Sequence, residues 1–320
     1  RNHIKPVYGI LVAMTVSLPW FIIEYILEGN IFLKSFFGYH NFQRYTSIVN
    51  SHQEGIFFFG LMLIIASLPF TPLLILGIIK GGKEITNNFR NGSVKPSNSL
   101  LIFSISWLFS VLIFFTLSGT KLPSYWLPAI PAAAIIVGQV ENLEFKKENK
   151  KSILLNTCWW LTISFLLIIS FIFLLPIMMP DLSFLNQIND NEMKNLSDQL
   201  LSSGILKRGA VCLLVAAFIG IVSKAYSKVN LLSIQIPIIF FQLLAINPLY
   251  GLIDLNRQLP LREASKFMID AKETNESIAM VGIKKPSIHF YTNEVILYES
   301  NTNVNLINLS ERLSTEKRIG

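Results

Sequence analysis

A chain of 320 residues that is 52% hydrophobic and 15% charged, with mean hydropathy +0.50, lies far from the soluble average of about 25% charged. That composition excludes an ordinary soluble domain and points to a polytopic membrane protein. The net charge of +7 then describes loop topology, and basic residues confined to short loops between apolar runs argue against nucleic-acid binding.

The opening, Arg-Asn-His-Ile-Lys-Pro, carries no apolar leader with a small-residue cleavage site. It reads as an inter-helix loop, so a longer protein is expected upstream. Taking ~20 apolar residues per crossing, seven spans are expected, at 7–27, 56–79, 100–117, 127–140, 153–179, 209–226 and 230–250. The fourth is short, and Pro128 and Pro131 predict a broken entry buried by neighbouring helices. Glu24 falls near the outer end of the first span, close enough to the surface to snorkel.

Loop 28–55 is long and aromatic. Phe32, Phe36 and Phe37 at near-helical spacing predict a helix lying in the interface, followed by His40, Gln43, Arg44 and His52. This loop is either an amphipathic connector or a wall that brings Arg44 and His40 to the same outer cavity as Lys121. The acids of loop 180–208, Asp181, Asp190, Glu192 and Asp198, show no metal-ligand spacing and read as a solvated face ending at a Gly204 helix stop. Cys158 and Cys212 fall in opposite leaflets on this topology, too far apart for a disulfide, and read as packing residues.

Twelve Lys and Arg residues lie in the four short segments on one side of this topology and six in the longer loops on the other. The positive-inside rule places the start of the chain in the cytoplasm and loop 28–55, the Lys121 loop and the tail outside. The tail, 251–320, changes composition. A helix is expected over LREASKFMIDAKE, short strands over SIAMVG and VILY, and a second helix over 304–317. The fold class is therefore a mostly α, polytopic transmembrane bundle (1–250) with a small α/β extracytoplasmic domain (251–320).

The stretch SGTKLPSYWLP, residues 118–128, stands out. Of the 45 residues between Lys95 and Glu141, Lys121 alone is charged. Pro123 and Pro128 stiffen the backbone around it, and Tyr125 and Trp126 are headgroup-level side chains. Flexible snorkelling needs no such frame. A fixed cation beside a phenol hydroxyl is what an anionic lipid phosphate requires: charge neutralisation and an oriented donor.

This stretch, followed by PAAAIIVG, resembles the KLPxYxLP signature of bacterial integral-membrane glycosyltransferases of the GT-C fold. These are the lipid A aminoarabinose transferases and the protein O-mannosyltransferase-like enzymes. SLPWFIIEY with FFGYHNFQRY resembles their outer loop, with Tyr39 where an acid is often found and Tyr45 in place of Phe. IIASLPFTPLLILG resembles the following helix, and KKPSIHFYTNE a segment of their outer C-terminal domain. The resemblance implies transfer of a sugar from a polyprenyl-phosphate donor, at the outer face of the plasma (inner) membrane, to a glycolipid, glycan or protein acceptor. It implies an inverting reaction with a carboxylate base in the first outer loop, which nothing here matches, so this chain is expected to be a C-terminal part lacking that residue. It places Lys121 and Tyr125 at the lipid phosphate, Arg44 and His40 over the same cavity, and Pro123 and Pro128 in the supporting frame. No catalytic residue or metal ligand is assigned within the chain, and a divalent-cation requirement is left open. The alternative is a transporter or flippase of a lipid-linked or anionic substrate, with Lys121 as a counter-charge at a broken helix.

Overall fold

The computed structural model describes residues 5–48, 54–91, 99–145, 153–179, 193, 196–226, 231–273, 276–282, 284–300, 302, 306–307 and 310–311. The chain divides into two compact units, Arg1–Thr162 and Ile163–Gly320.

In the first unit, α1 (Pro6–Glu28) is apolar on every face and has no buried residue. It ends at Gly29, whose φ of +62° reverses the chain at little cost because glycine lacks Cβ. The chain then runs helically through α2 (Asn30–Phe32), a π-wound segment (Leu33–Gln43) and α3 (Arg44–Thr46). Aromatic edges bind this segment back onto α1. Trp20 meets Phe32 and Phe36 with centroids 5.8 and 5.9 Å apart, and Phe21 meets Phe36 and Phe37, each at 5.7 Å. The expected helix of loop 28–55 is thus present over 30–46. Residues 49–53, with His52, lie outside the described residues.

The expected single span at 56–79 is instead two helices, α4 (Phe58–Ala66) and α5 (Thr71–Asn91), with a bend of 118° between Phe58–Ala66 and Thr71–Asn87. Pro69 and Pro72 account for the break, since neither can donate to a continuing helical ladder. The Thr71 hydroxyl donates to the Ile64 carbonyl across the corner at 2.6 Å, satisfying an acceptor that the break releases. Next come α6 (Ser99–Leu117), a 3₁₀ turn (Pro123–Ala129) and α7 (Ile130–Phe145).

Residues 127–140 run from the end of the 3₁₀ turn into α7. The prolines turn the entry into a 3₁₀ segment, and α7 is described as far as Phe145. Among the described residues five helices are long and apolar enough to cross a membrane, or six if the bent pair counts as one span.

Around the 3₁₀ turn lies the unit's main core: Leu74 of α5, Leu101, Ile105 and Leu108 of α6, Trp126, and Ala129, Ala132, Ala133 and Ile136 of α7. Close approach of α5 depends on Gly77 and Gly81, a pair at small-xxx-small spacing. A Cβ on Gly77 would overlap the Ile136 Cγ2 methyl and lie 2.7 Å from Val140 Cγ2, and one on Gly81 would overlap Ile105 Cδ1.

α8 (Ile153–Met178) carries the division between the units. In the second unit, α9 (Leu196–Ser202) leads through Gly204, at φ +69°, into α10 (Ile205–Ala225). The expected glycine stop is there. The apolar helix begins at 205 and not 209, because Gly204 turns the chain immediately before it. α10 buries Gly209, Ala210, Leu213, Ala216, Ala217 and Gly220. Ser170 of α8 donates its hydroxyl to the Ala210 carbonyl at 2.9 Å. The last long apolar element, Leu231–Arg257, comprises α11 (Leu231–Phe241), a π-wound segment (Gln242–Ile246) and α12 (Asn247–Arg257), and runs helically past residue 250. Arg208 Nε donates to the Leu244 carbonyl within the π segment at 3.3 Å. Both cysteines are free thiols, Cys158 buried and Cys212 half-buried.

Beyond α13 (Leu259–Ala271), strands β1 (Ala279–Val281) and β2 (Leu297–Glu299) pair in parallel, joined by α14 (Pro286–Thr292). A parallel pair needs such a crossover, and Lys285-Pro286 starts it with proline at the first helical position. Arg262 of α13 lies over the Tyr291 ring, 5.5 Å from its centroid, and Lys272 pairs with Glu294, which ties α13 to the β-α-β unit. The expected helix over 304–317 is helical at 306–307 and 310–311; its remaining residues lie outside those described.

Candidate lipid-phosphate site

The residues singled out around Lys121 are organised by one junction. The last turn of a helix leaves backbone carbonyls without partners. Here the helix of loop 28–55 ends at Thr46, and the hairpin turn at 118–120 supplies the missing donors from more than 70 residues away. Gly119 N–H donates to the Tyr45 carbonyl at 2.7 Å and Thr120 N–H to the Arg44 carbonyl at 3.0 Å. The Thr120 hydroxyl donates to the Ser47 carbonyl at 2.9 Å. The Ser118 hydroxyl is shared between the carbonyls of Arg44 (3.3 Å) and Thr120 (3.0 Å). Ser118 and Thr120 are buried, 4% and 1% exposed, so these bonds are shielded from competing water.

Gly119 is the residue that permits this approach. A Cβ there would lie 2.8 Å from both the carbonyl carbon and oxygen of Ser47 and 3.0 Å from its nitrogen. Rings continue the seam: Tyr45 meets Phe114 at 5.0 Å between centroids, and Phe115 meets Tyr125 at 4.7 Å.

The junction brings Arg44 to the Lys121 hairpin. Arg44 is half-buried, and its Nε is buried with no hydrogen-bond partner among the described residues. An unsatisfied buried donor of this kind costs about 1–3 kcal/mol, more when charged, which a bound anion would recover. Lys121 is also half-buried. Its ammonium donates to the Ser118 carbonyl at 3.0 Å, a bond that steadies the side chain and accounts for one of its three donors. Pro123 opens the 3₁₀ turn and Pro128 lies inside it, and Trp126 between them is buried in the core. The frame is therefore anchored from within. Tyr125 is half-buried on the same turn. His40 stands one turn before Arg44, exposed, with its ring against Tyr39 at 5.0 Å.

Four sequence-predicted residues thus fall on two segments that the structure clamps together. The clamp itself, Ser118, Gly119 and Thr120 on carbonyls 44–47, went unread in the sequence. Its one visible signal was a glycine between two hydroxyl residues directly after a long apolar run. Among the described residues no group of three or more His, Cys, Asp or Glu side chains is placed to hold a metal ion.

Residues 271–319 match the family model described as Cyanobacterial RgtA-type glycosyltransferase, C-terminal domain. Over 134 residues, 41% of this chain, the sequence is 30% identical to the undecaprenyl phosphate-alpha-4-amino-4-deoxy-L-arabinose arabinosyl transferase of Serratia proteamaculans (strain 568), and the match covers 22% of that relative. The enzyme of the same name from Yersinia pestis (strain Pestoides F) is 30% identical over 129 residues, 40% of this chain and 21% of its own. The fold matches the crystal structure of ArnT from Cupriavidus metallidurans bound to undecaprenyl phosphate, with a TM-score of 0.62 at 18% identity. The chain is thus similar over part of its length to glycosyltransferases, and it shares its fold with that solved structure. The fold likeness takes in 95% of this chain and 50% of the solved one, so the chain spans about half of that GT-C structure. It aligns with less than a quarter of the length of the two curated transferases.

Proposed function

We propose that this chain supplies the lipid-phosphate-binding part of a GT-C glycosyltransferase that moves a sugar from a polyprenyl-phosphate donor to an acceptor at the outer face of the membrane. The observation that carries the reading is the clamped junction, which holds Lys121 and a buried, unpartnered Arg44 Nε on adjoining segments of a GT-C fold. In such a transfer an acceptor oxygen bonds to the anomeric carbon while the bond from that carbon to the phosphate oxygen breaks. The electron pair leaves on the lipid phosphate. A fixed ammonium and guanidinium stabilise the negative charge as it develops, more in the transition state than in the ground state. Neither cation can serve as the base that takes the acceptor proton. His40, exposed one turn away, is assigned to the rim of the same cavity. The names of the relatives favour this reading over transport, and the charge count over the loops supports an inner-membrane chain with its C-terminal segment outside.

The test is transfer by the full-length enzyme in membranes. Lys121→Ala is expected to lower the rate at least tenfold with unchanged protein in the membrane; a wild-type rate would overturn the phosphate role. Tyr125→Phe keeps the ring contact with Phe115 and removes only a neutral donor. At about 0.5–1.5 kcal/mol for one hydrogen bond, it is expected to cost roughly three- to tenfold in transfer with no change in thermal stability.

A further inference from the structure

α5 carries two faces of different chemistry. One is committed to the core, where Gly77 lies against Ile136 and Val140 of α7 and Gly81 against Ile105 and Leu101 of α6. On the opposite face Ile75, Ile79, Lys83, Thr86, Asn87 and Arg90 are all exposed. At helical spacing these six fall within about a third of the circumference, so they form one continuous stripe.

The stripe changes character along its length. Ile75 and Ile79 are apolar, Lys83 and Arg90 are cationic, and Asn87 adds an amide donor. Along the axis Ile75 and Lys83 are about 12 Å apart. An open groove of about 520 Å³ follows this face, lined by Ile79, Gly82, Lys83, Thr86 and Asn87, with no carboxylate among the described lining residues. Gly82 leaves the groove clear: a Cβ there would meet nothing within 4 Å. Thr86 donates its hydroxyl to the Gly82 carbonyl at 2.9 Å, which holds that side chain down on the helix. The carbonyl end of α5 disfavours an anion with about half an elementary charge, and the two full positive charges outweigh it.

An apolar strip followed by cations and an amide matches the order of acyl chain and phosphate in an anionic phospholipid. A snorkelling lysine needs neither the groove nor the amide. We infer that this face of α5 is a binding site for an anionic phospholipid, seated at the opposite end of α6 from the Lys121 hairpin. On the topology proposed above, that lipid belongs to the cytoplasmic leaflet.

The test is native mass spectrometry of the full-length protein released from detergent micelles, reading dissociation constants for added dioleoylphosphatidylglycerol and dioleoylphosphatidylcholine. The anionic lipid is expected to bind at least tenfold more tightly than the zwitterionic one. A basic residue beside an anionic head group contributes about fivefold, so the double variant Lys83→Gln, Arg90→Gln is expected to weaken phosphatidylglycerol at least tenfold. Lys5→Gln with Lys224→Gln removes the same two charges elsewhere and is expected to leave the affinity within twofold. Gly82→Leu keeps every charge but fills the groove, and should weaken binding at least threefold without lowering the melting temperature. Equal affinity for the two lipids would overturn the site. Equal losses from the two double variants, or no loss with Gly82→Leu, would reduce it to diffuse charge attraction and overturn it too. Displacement of the lipid by an equal concentration of inorganic phosphate would identify a simple anion site in place of lipid recognition. None of these readings involves sugar transfer, so the site and the donor-phosphate proposal stand or fall separately.

Discussion

Replacing Gly119 with alanine is expected to reduce sugar transfer at least 100-fold. The added methyl would lie 2.8 Å from the Ser47 carbonyl carbon and oxygen. Those are backbone atoms and cannot rotate aside, so one segment must back away from the other. The Gly119 and Thr120 N–H bonds to carbonyls 45 and 44, at 2.7 and 3.0 Å, have little slack before they break. Each such bond contributes about 1 kcal/mol, so the variant should melt lower yet still fold. The larger loss is positional. A shift of ~1 Å between the Arg44 and Lys121 segments can cost on the order of 100-fold in rate. Transfer assays and thermal melting of the purified enzyme check this together. Transfer within threefold of wild type would show that the clamp does not set the site.

A second large effect is expected in stability. Gly77→Val should destabilise the first unit by about 1–3 kcal/mol or more, read as a fall of several degrees in melting temperature. The obstructing atoms are Ile136 Cγ2 and Val140 Cγ2, methyls fixed at β-branches on α7 whose rotamers are restricted in a helix. Gly81 is the informative contrast. Alanine there meets chiefly the Ile105 Cδ1 methyl, the far end of a side chain that can swing away. Helix propensity favours alanine over glycine by about 1 kcal/mol. Gly81→Ala should therefore come out near neutral, although its contact is the closer of the two. Equal losses for Gly77→Val and Gly81→Ala would sink the account.

What was legible in the sequence was what composition and local pattern dictate. The long apolar runs, the helix of loop 28–55, the Gly204 turn and the short strands of the tail all declare themselves within a few neighbouring residues. The misreadings occur where distant partners decide. Residues 56–79 look like one span by hydropathy, which does not register that Pro69 and Pro72 open a corner closed by the Thr71 hydroxyl. Within the run 127–140, Ala129, Ala132 and Ile136 are fully buried while Leu127 and Ile130 are exposed, a division that apolarity alone does not reveal. α14 was passed over because its residues carry no strong periodicity; the parallel pairing of β1 and β2 is what demands it. At the site, Lys121 stands out in the sequence by its isolation and its prolines. Its connection to Arg44 could not be read there, because it runs through main-chain groups that any residue possesses.

The clamp also bears on the order in which the chain assembles. Its bonds join segments 73 and 74 positions apart, so they cannot form until α4, α5 and α6 have all been made and packed. Until then the helix of loop 28–55 ends in bare carbonyls, whose partial negative charge disfavours an anion nearby. When Ser118, Gly119 and Thr120 arrive, they neutralise that end, and the turn that carries them brings Lys121 with it. On the proposed function, affinity for a lipid phosphate would therefore be acquired only after the clamp has formed.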